Sequence, residues 1–140
     1  MSRFLAVDYG SKRIGLAIGD DDMYMASPIK TIDGCGDLRS DASAVEACAR
    51  EYDIDGIVIG LPLNMDDSEG PQAKVVRSFG EALDAITDQT IHYVDERLSS
   101  IAAEELIRPA GLTRKKKKAR VDRVAAQVIL QTFLDARRNT

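Results

Sequence analysis

Residues 4–20 read FLAVDYGSKRIGLAIGD, and the other elements of the chain can be placed relative to them. Four apolar residues run directly into Asp8, and such a run is typical of a strand buried on both faces. A Gly-Ser-Lys turn follows at residues 10–12 and strand character resumes at residues 13–18, so the pattern predicts a β-hairpin. Asp8 then ends a buried strand, where the simplest role for it is to stabilise the turn.

The composition fits one globular domain. The chain has 140 residues, of which 44% are hydrophobic and 30% are charged, so we expect a single domain over residues 1–140 with an ordinary core. No apolar run reaches membrane-spanning length, and strand character near residue 4 leaves no signal-peptide core. These features predict a cytoplasmic protein with no membrane partner.

The cysteines and the histidine offer little for catalysis. Cys35 and Cys48 have neither metal-ligand spacing nor companion histidines, and we expect both to be reduced thiols. His92 is the only histidine of the chain and falls within a predicted strand, where packing is its expected role. Cys–His, Ser–His and zinc–histidine chemistry are therefore poorly supported.

Charge is distributed unevenly along the chain. The net charge is −4, but residues 108–123 hold eight basic residues against one acid, Asp122, which makes this segment +7 and the remainder −11. Such asymmetry is typical of a local contact with a polyanion. A solvated charge run without a partner explains the same pattern equally well.

The rest of the chain alternates strands with helices. A helix followed by a buried strand indicates a crossover connection, so the later strands should run parallel to the first. The expected fold class is α/β, a mixed five-stranded sheet with three antiparallel and then two parallel strands, flanked by helices. The predicted elements are an edge strand at residues 23–32 containing Pro28, helices at 38–52, 72–86, 101–107 and 119–137, apolar strands at 57–61 and 91–94, and a mobile basic loop at 113–118.

Acidic residues from three places are expected to meet at one rim of this sheet. Asp8 ends the first strand, and Asp95 and Glu96 end the last, so both carboxyl ends should open on the same side. Asp122 continues the apolar stripe of the final helix, where an unpaired carboxylate is costly. A helix-start carboxylate or an ion pair with a neighbouring arginine is the simpler account of Asp122, but a metal explains its apolar side better.

Oxygen ligands without histidine or cysteine suit Mg²⁺ or Mn²⁺. A carboxylate cluster can hold two such ions about 3.5–4 Å apart for in-line cleavage of a phosphodiester, and the basic segment before Asp122 would hold the phosphate backbone. These features favour a nuclease. Two alternatives are a nucleic-acid-binding factor without catalysis and an actin-like ATPase, although 140 residues cannot hold both halves of the latter.

Several short motifs are spread along the chain: AVDYG at residues 6–10 with RIG at 13–15, GLPLN at 60–64, EGPQA at 69–73, DERLS at 95–99, and VD at 121–122 leading into AAQVILQ at 125–131. In these motifs, and over essentially its whole length, the sequence resembles the YqgF family, also called RuvX or Holliday junction resolvase-like. Asp67 departs from the family pattern, since family members commonly have glycine there.

The resemblance implies a ribonuclease H-like fold and a metal-dependent endonuclease that matures the 5′ end of the 16S ribosomal RNA precursor, with Holliday junction cleavage as the alternative. It implies Asp8, Glu96 and Asp122 as catalytic metal ligands, with Asp8 bridging two ions and Asp95 an orienting neighbour or alternative ligand. We expect structured RNA or branched DNA as the partner, and a monomer or homodimer. The residues expected to contact nucleic acid are Lys12, Asn64, Arg97, Arg114, Lys115, Lys116, Lys117 and Lys118.

Overall fold

The computed structural model describes residues 1–10, 12–98 and 114–139, with side chains for all of these except residues 98 and 114–123. Within these residues, five strands form one sheet and three α-helices and a short 3₁₀ turn accompany it. The strands are β1 (Arg3–Tyr9), β2 (Arg13–Asp20), β3 (Ala26–Asp33), β4 (Gly56–Leu61) and β5 (Thr90–Asp95). The helices are α1 (Leu38–Glu51), α2 (Pro71–Asp84) and α3 (Arg114–Arg138), and the 3₁₀ turn is Glu96–Leu98.

The sheet has the predicted mixed topology. Its strand order is β3-β2-β1-β4-β5. The first three strands pair antiparallel, with Asp8 opposite Gly15, and β4 pairs in parallel with both β1 and β5. Pro28 lies on the edge strand β3, beside a shift in register, where the missing N–H is tolerated.

The sheet separates two hydrophobic layers. On one face, α1 and α2 pack against Leu5, Val7 and other strand residues. On the other face, α3 packs against Phe4 and Ala6. Because side chains alternate along a strand, Asp8 follows Phe4 and Ala6 onto the face that α3 covers.

Two predicted boundaries are wrong. The carboxylate of Asp20 accepts hydrogen bonds from the backbone N–H groups of Asp22 and Met23 at 3.0 and 2.7 Å; this closes a turn, and β3 therefore begins at Ala26. The expected basic loop is also absent from residues 114–118, because they form the first turns of α3. Lysine and arginine are good helix formers, but the run of like charges led to the prediction of a loop. The helix predicted at residues 101–107 lies outside the described residues.

The cysteines and His92 behave as expected. Cys35 is exposed, Cys48 is buried, and both are free thiols. The ring of His92 packs against those of Phe4 and Phe133, with centroids 6.2 and 5.0 Å apart, and burial lowers its pKa. In the described part of the chain, we find no helix with both the length and the apolar character needed to cross a membrane.

A buried hydrogen bond ties the end of β1 to the start of α1. The hydroxyl of Tyr9 donates to Oδ2 of Asp41 at 2.7 Å, and the backbone N–H of Cys35 donates to Oδ1 at 3.0 Å. Asp41 is 2% exposed and is the one buried charged side chain among the described residues. The ring of Tyr9 stacks on Phe79 with centroids 4.1 Å apart. Burial and the carboxylate keep the pKa of Tyr9 above its ordinary value, so it remains a donor.

We expect Tyr9→Phe to lower the free energy of unfolding by about 1–3 kcal/mol, because the buried carboxylate of Asp41 loses a donor. Urea unfolding measures the difference. Tyr93→Phe is the matched control, since Tyr93 is 37% exposed. Equal losses in the two variants would contradict the importance of the Tyr9–Asp41 hydrogen bond.

Candidate active site

Asp8 and Glu96 bring together carboxyl groups from two strands that are not neighbours in the sheet. Asp8 lies near the end of β1, Glu96 follows the end of β5, and β4 runs between them. Their side chains are nevertheless hydrogen-bonded to each other. The pair lies at the carboxyl ends of the parallel strands, which is where open α/β sheets hold their sites.

Gly60 on β4 gives Glu96 the room to reach Asp8. A Cβ atom placed on residue 60 would lie 2.8 Å from Oε1 and 2.9 Å from Cγ of Glu96, and would also collide with the side chain of Ile129 on α3. The side chain of Glu96 therefore passes directly over residue 60. Glycine is the residue that leaves this path open.

The pKa of Asp8 is raised well above the ordinary carboxyl value, because its surroundings shield the group from much of the solvent and because Glu96 lies beside it. Two carboxylates at such close range repel each other when both are charged. Without a cation, Asp8 therefore retains a proton at pH values where an ordinary carboxyl group has lost it. A bound cation would release that proton.

Asp95 has different surroundings from Asp8, because its carboxylate forms an ion pair with Arg97. Nε of Arg97 lies 3.0 Å from each carboxylate oxygen of Asp95, and Nη2 lies 2.6 Å from Oδ2. The backbone N–H of Arg97 also donates to Oδ1 at 3.0 Å. These hydrogen bonds keep the pKa of Asp95 below its usual value. Of the two adjacent acids, Asp95 is paired with a cation and Glu96 faces Asp8.

The segment between β4 and α2 forms a small hairpin beside the rim, residues 63–69. Leu63 and Glu69 form an antiparallel bridge, and Nδ2 of Asn64 donates to Oγ of Ser68 at 3.0 Å. Asp67 has a φ of +70°, a left-handed conformation that suits glycine, and glycine is the residue that the family pattern leads us to expect. Oδ1 of Asp67 accepts a hydrogen bond from Nη2 of Arg97 at 2.7 Å, a contact that glycine cannot make.

The remaining predicted residues are only partly described. Lys12 is exposed and follows β1 at the same end of the sheet as Asp8. Asp122 lies on α3, one helical turn before Ala126 and two before Ile129, both of which pack on the sheet. Its side chain lies outside the described residues, as do those of residues 114–118. Among the side chains that are described, no group of three acids, histidines or cysteines could hold a metal ion.

The sequence of the chain matches a known protein family. A family model described as RuvX, Holliday junction resolvase, matches residues 2–136. The chain belongs to the RuvX family. A Chloroflexus aurantiacus relative named "Putative pre-16S rRNA nuclease" is 44% identical over 135 residues, which covers 96% of this chain and 88% of the relative. A relative of the same name from Anaeromyxobacter sp. (strain K) is 42% identical and covers 96% and 98%.

Solved structures agree with the RuvX assignment at the level of the fold. Thermus thermophilus RuvC in complex with a Holliday junction substrate has a TM-score of 0.65 and 12% identity, over 100% of this chain and 98% of that one. A second RuvC structure has a TM-score of 0.58 and 10% identity. These matches confirm the predicted ribonuclease H-like fold. The family and the names of its relatives are those of nucleases, which are hydrolases acting on ester bonds.

Two features of the RuvX site are not singled out by the sequence pattern. Gly60 has a signal, because a glycine inside the apolar run IVIGL at residues 57–61 indicates a close approach by another group. Which group approaches cannot be deduced from the run itself. Arg97 is predicted to contact nucleic acid, but the sequence also allows it to steady a carboxylate or to be a plain surface charge, and it carries no signal that separates these roles.

In metal-free buffer, we expect stability to fall with rising pH more steeply in the wild type than in Asp8→Asn. Folding raises the pKa of Asp8, so the folded chain keeps a proton that the unfolded chain releases above about pH 4. This contribution to stability is present at acidic pH and is lost as pH rises through the raised value. Above it, Asp8→Asn should be the more stable protein, by on the order of 1 kcal/mol.

Thermal melts in EDTA between about pH 5 and about pH 9 measure this difference. Asp95→Asn is the control with the opposite sign, because Arg97 stabilises the charged form of Asp95. That variant should be destabilised at neutral pH. Parallel pH profiles of Asp8→Asn and the wild type would contradict a raised pKa at Asp8.

Proposed function

We propose that this RuvX-family protein is a divalent-metal-dependent endonuclease that matures the 5′ end of the 16S ribosomal RNA precursor. The observation that carries the proposal is the Asp8–Glu96 pair, two carboxyl groups hydrogen-bonded across an intervening strand. Maintaining two acids in contact is unfavourable in itself, so their juxtaposition requires a functional reason. The name of the relatives from Chloroflexus and Anaeromyxobacter supports the choice of RNA substrate.

The pair fits a hard divalent cation. Its donors are all carboxylate oxygens, the type that Mg²⁺ and Mn²⁺ prefer, and its retained proton is the one that a cation would replace. In this proposal Asp8, Glu96 and Asp122 would hold the divalent cations, which we expect to be two in number. Asp95 is the weaker candidate ligand, because Arg97 already occupies both of its oxygens. When bound, the metal supplies an activated water and stabilises the leaving oxygen.

The protein's own groups then prepare the reaction. Deprotonated Asp8 and Glu96 provide the negative charge, and the gap at Gly60 fixes the direction from which Glu96 approaches. Positive charge in residues 114–118 attracts the phosphate backbone of the substrate. Lys12 and Asn64 lie at the same end of the sheet as the acid pair and are further candidates for backbone contact.

Cleavage of Holliday junctions is a second candidate function. The family model carries that description, and the RuvC chain with the same fold is in complex with a junction substrate. Symmetric cleavage of a junction requires two sites, and therefore a homodimer, whereas trimming of RNA can be done by a monomer. The oligomeric state in solution is thus part of the test.

We expect purified protein to cut a labelled 16S precursor with Mg²⁺ or Mn²⁺ and not with EDTA. Asp8→Asn and Glu96→Gln should lower the cleavage rate by about 10²–10³-fold, because each removes a carboxylate ligand of the cation that would stabilise charge at the reacting phosphate. Their affinity for the RNA should be unchanged. A four-way DNA junction is tested in parallel with the same variants, and light scattering gives the oligomeric state.

The outcomes separate the candidates. Cutting of the junction alone would favour the recombination role. Binding of both substrates without cutting would favour a nucleic-acid-binding factor. Wild-type cleavage rates in Asp8→Asn would show that the acid pair is not the catalytic site.

We expect replacement of the four lysines at residues 115–118 by glutamine to weaken RNA binding and to reduce the slope of log affinity against log salt by about 3. The rate at saturating RNA should be retained, because these residues bind rather than catalyse. Filter binding over a salt series measures the slope. The control is a variant with the same change in net charge, in which four exposed basic residues elsewhere are replaced by glutamine: Arg39, Arg50, Lys74 and Arg138. Equal slopes in the two variants would contradict a local contact.

A further inference from the structure

The guanidinium of Arg97 is committed to partners within the protein. Its Nε and Nη2 groups donate to the carboxylate of Asp95, and Nη2 also donates to Oδ1 of Asp67. Nη1 donates to the backbone carbonyl oxygen of Asn64 at 2.9 Å and lies 3.4 Å from that of Met65. A guanidinium has five N–H donors, and these contacts account for them.

These partners belong to two separate elements. Asp95 is the last residue of β5. Asn64, Met65 and Asp67 belong to the hairpin of residues 63–69, which joins β4 to α2. Arg97 therefore connects the hairpin to the end of β5. The opposite side of the hairpin is tied to α2, because Oε1 of Glu69 accepts from Nε of Arg77 at 2.6 Å.

Glu96 lies between the two members of this ion pair in the sequence. Oδ1 of Asp95 accepts the backbone N–H of Arg97, which caps the 3₁₀ turn Glu96–Leu98. The guanidinium of Arg97 also donates to the carboxylate of Asp95, so the side chains of the residues before and after Glu96 are joined to each other. The backbone of Glu96 is thereby held from both sides, and its side chain is directed over Gly60 toward Asp8.

We propose that Arg97 is a positioning residue: it fastens the hairpin to the end of β5 and fixes the turn that aims Glu96 at Asp8, and it does not bind the phosphate of the substrate. The inference deepens the proposed nuclease function and rests on it for the activity measurement. The planar, five-donor guanidinium is required, since an ammonium group cannot reach two carboxylates and two carbonyls in the same arrangement.

The test compares Arg97→Lys with Arg97→Gln. A phosphate contact would survive the change to lysine, because the positive charge is kept. A positioning role would not, and we expect both variants to lower kcat by about 100-fold, the effect of a misplacement of roughly 1 Å. RNA affinity and its salt slope should equal those of the wild type in both. Hydrogen exchange of the backbone amides of residues 64–68 should become faster.

Asp67→Gly is the milder companion variant. Glycine suits the positive φ of this position, so the hairpin can still form, but Arg97 loses one carboxylate partner. We expect a partial loss of kcat and a partial rise in hydrogen exchange, with a melting temperature close to that of the wild type. This variant keeps the proposal testable if an Arg97 variant fails to fold.

The proposal is overturned if Arg97→Gln weakens RNA binding and lowers the salt slope by about 1 while Arg97→Lys restores both. It is equally overturned if hydrogen exchange of the hairpin is unchanged in all three variants. If the wild type cuts neither RNA nor DNA, the nuclease function fails. The salt slope and the hydrogen exchange then still decide whether Arg97 is a phosphate ligand or an internal fastener.

Discussion

Glu96 can meet Asp8 only because the strand between them has no side chain at residue 60. The strand order puts β4 between the two acids, and a hydrogen bond across an intervening strand needs an open path over that strand. The packing of Ile129 against the same spot closes the path from the α3 side. A single glycine thus sets the geometry of the acid pair, and the sheet topology, the 3₁₀ turn and the C-terminal helix are arranged around it.

The end of β1 is fastened on one face and chemically active on the other. Tyr9 points into the layer of α1 and α2, where it holds the buried carboxylate of Asp41 and stacks on Phe79. Asp8, one residue earlier, points to the opposite face. A comparable division separates Asp95 from Glu96, since the first is held by Arg97 and the second faces Asp8. At each strand end, one residue anchors the backbone and its neighbour supplies the acid.

The fold was largely predictable because its strands are short apolar runs with clear turn signals. The hairpin at residues 4–20 and the parallel order of the later strands follow from local pattern and connection rules. The start of α3 was mispredicted, because a run of like charges and a helix made of good helix formers look alike in sequence. The approach to Gly60 and the partners of Arg97 depend on contacts between distant segments, which no local pattern encodes. Asp122 stays a prediction, since its side chain is not described.

The helix α3 begins with five consecutive basic residues, 114–118. The amino end of a helix carries partial positive charge from its unpaired N–H groups, and cations placed there are unfavourable by about 0.3–1 kcal/mol each at low salt. In the isolated protein, the charges of these residues therefore interact unfavourably with the helix dipole. A polyanion bound at this end would cancel the repulsion, so that part of the binding free energy would appear as added helix stability. Binding of a polyanion and folding of this helix end would then be thermodynamically linked.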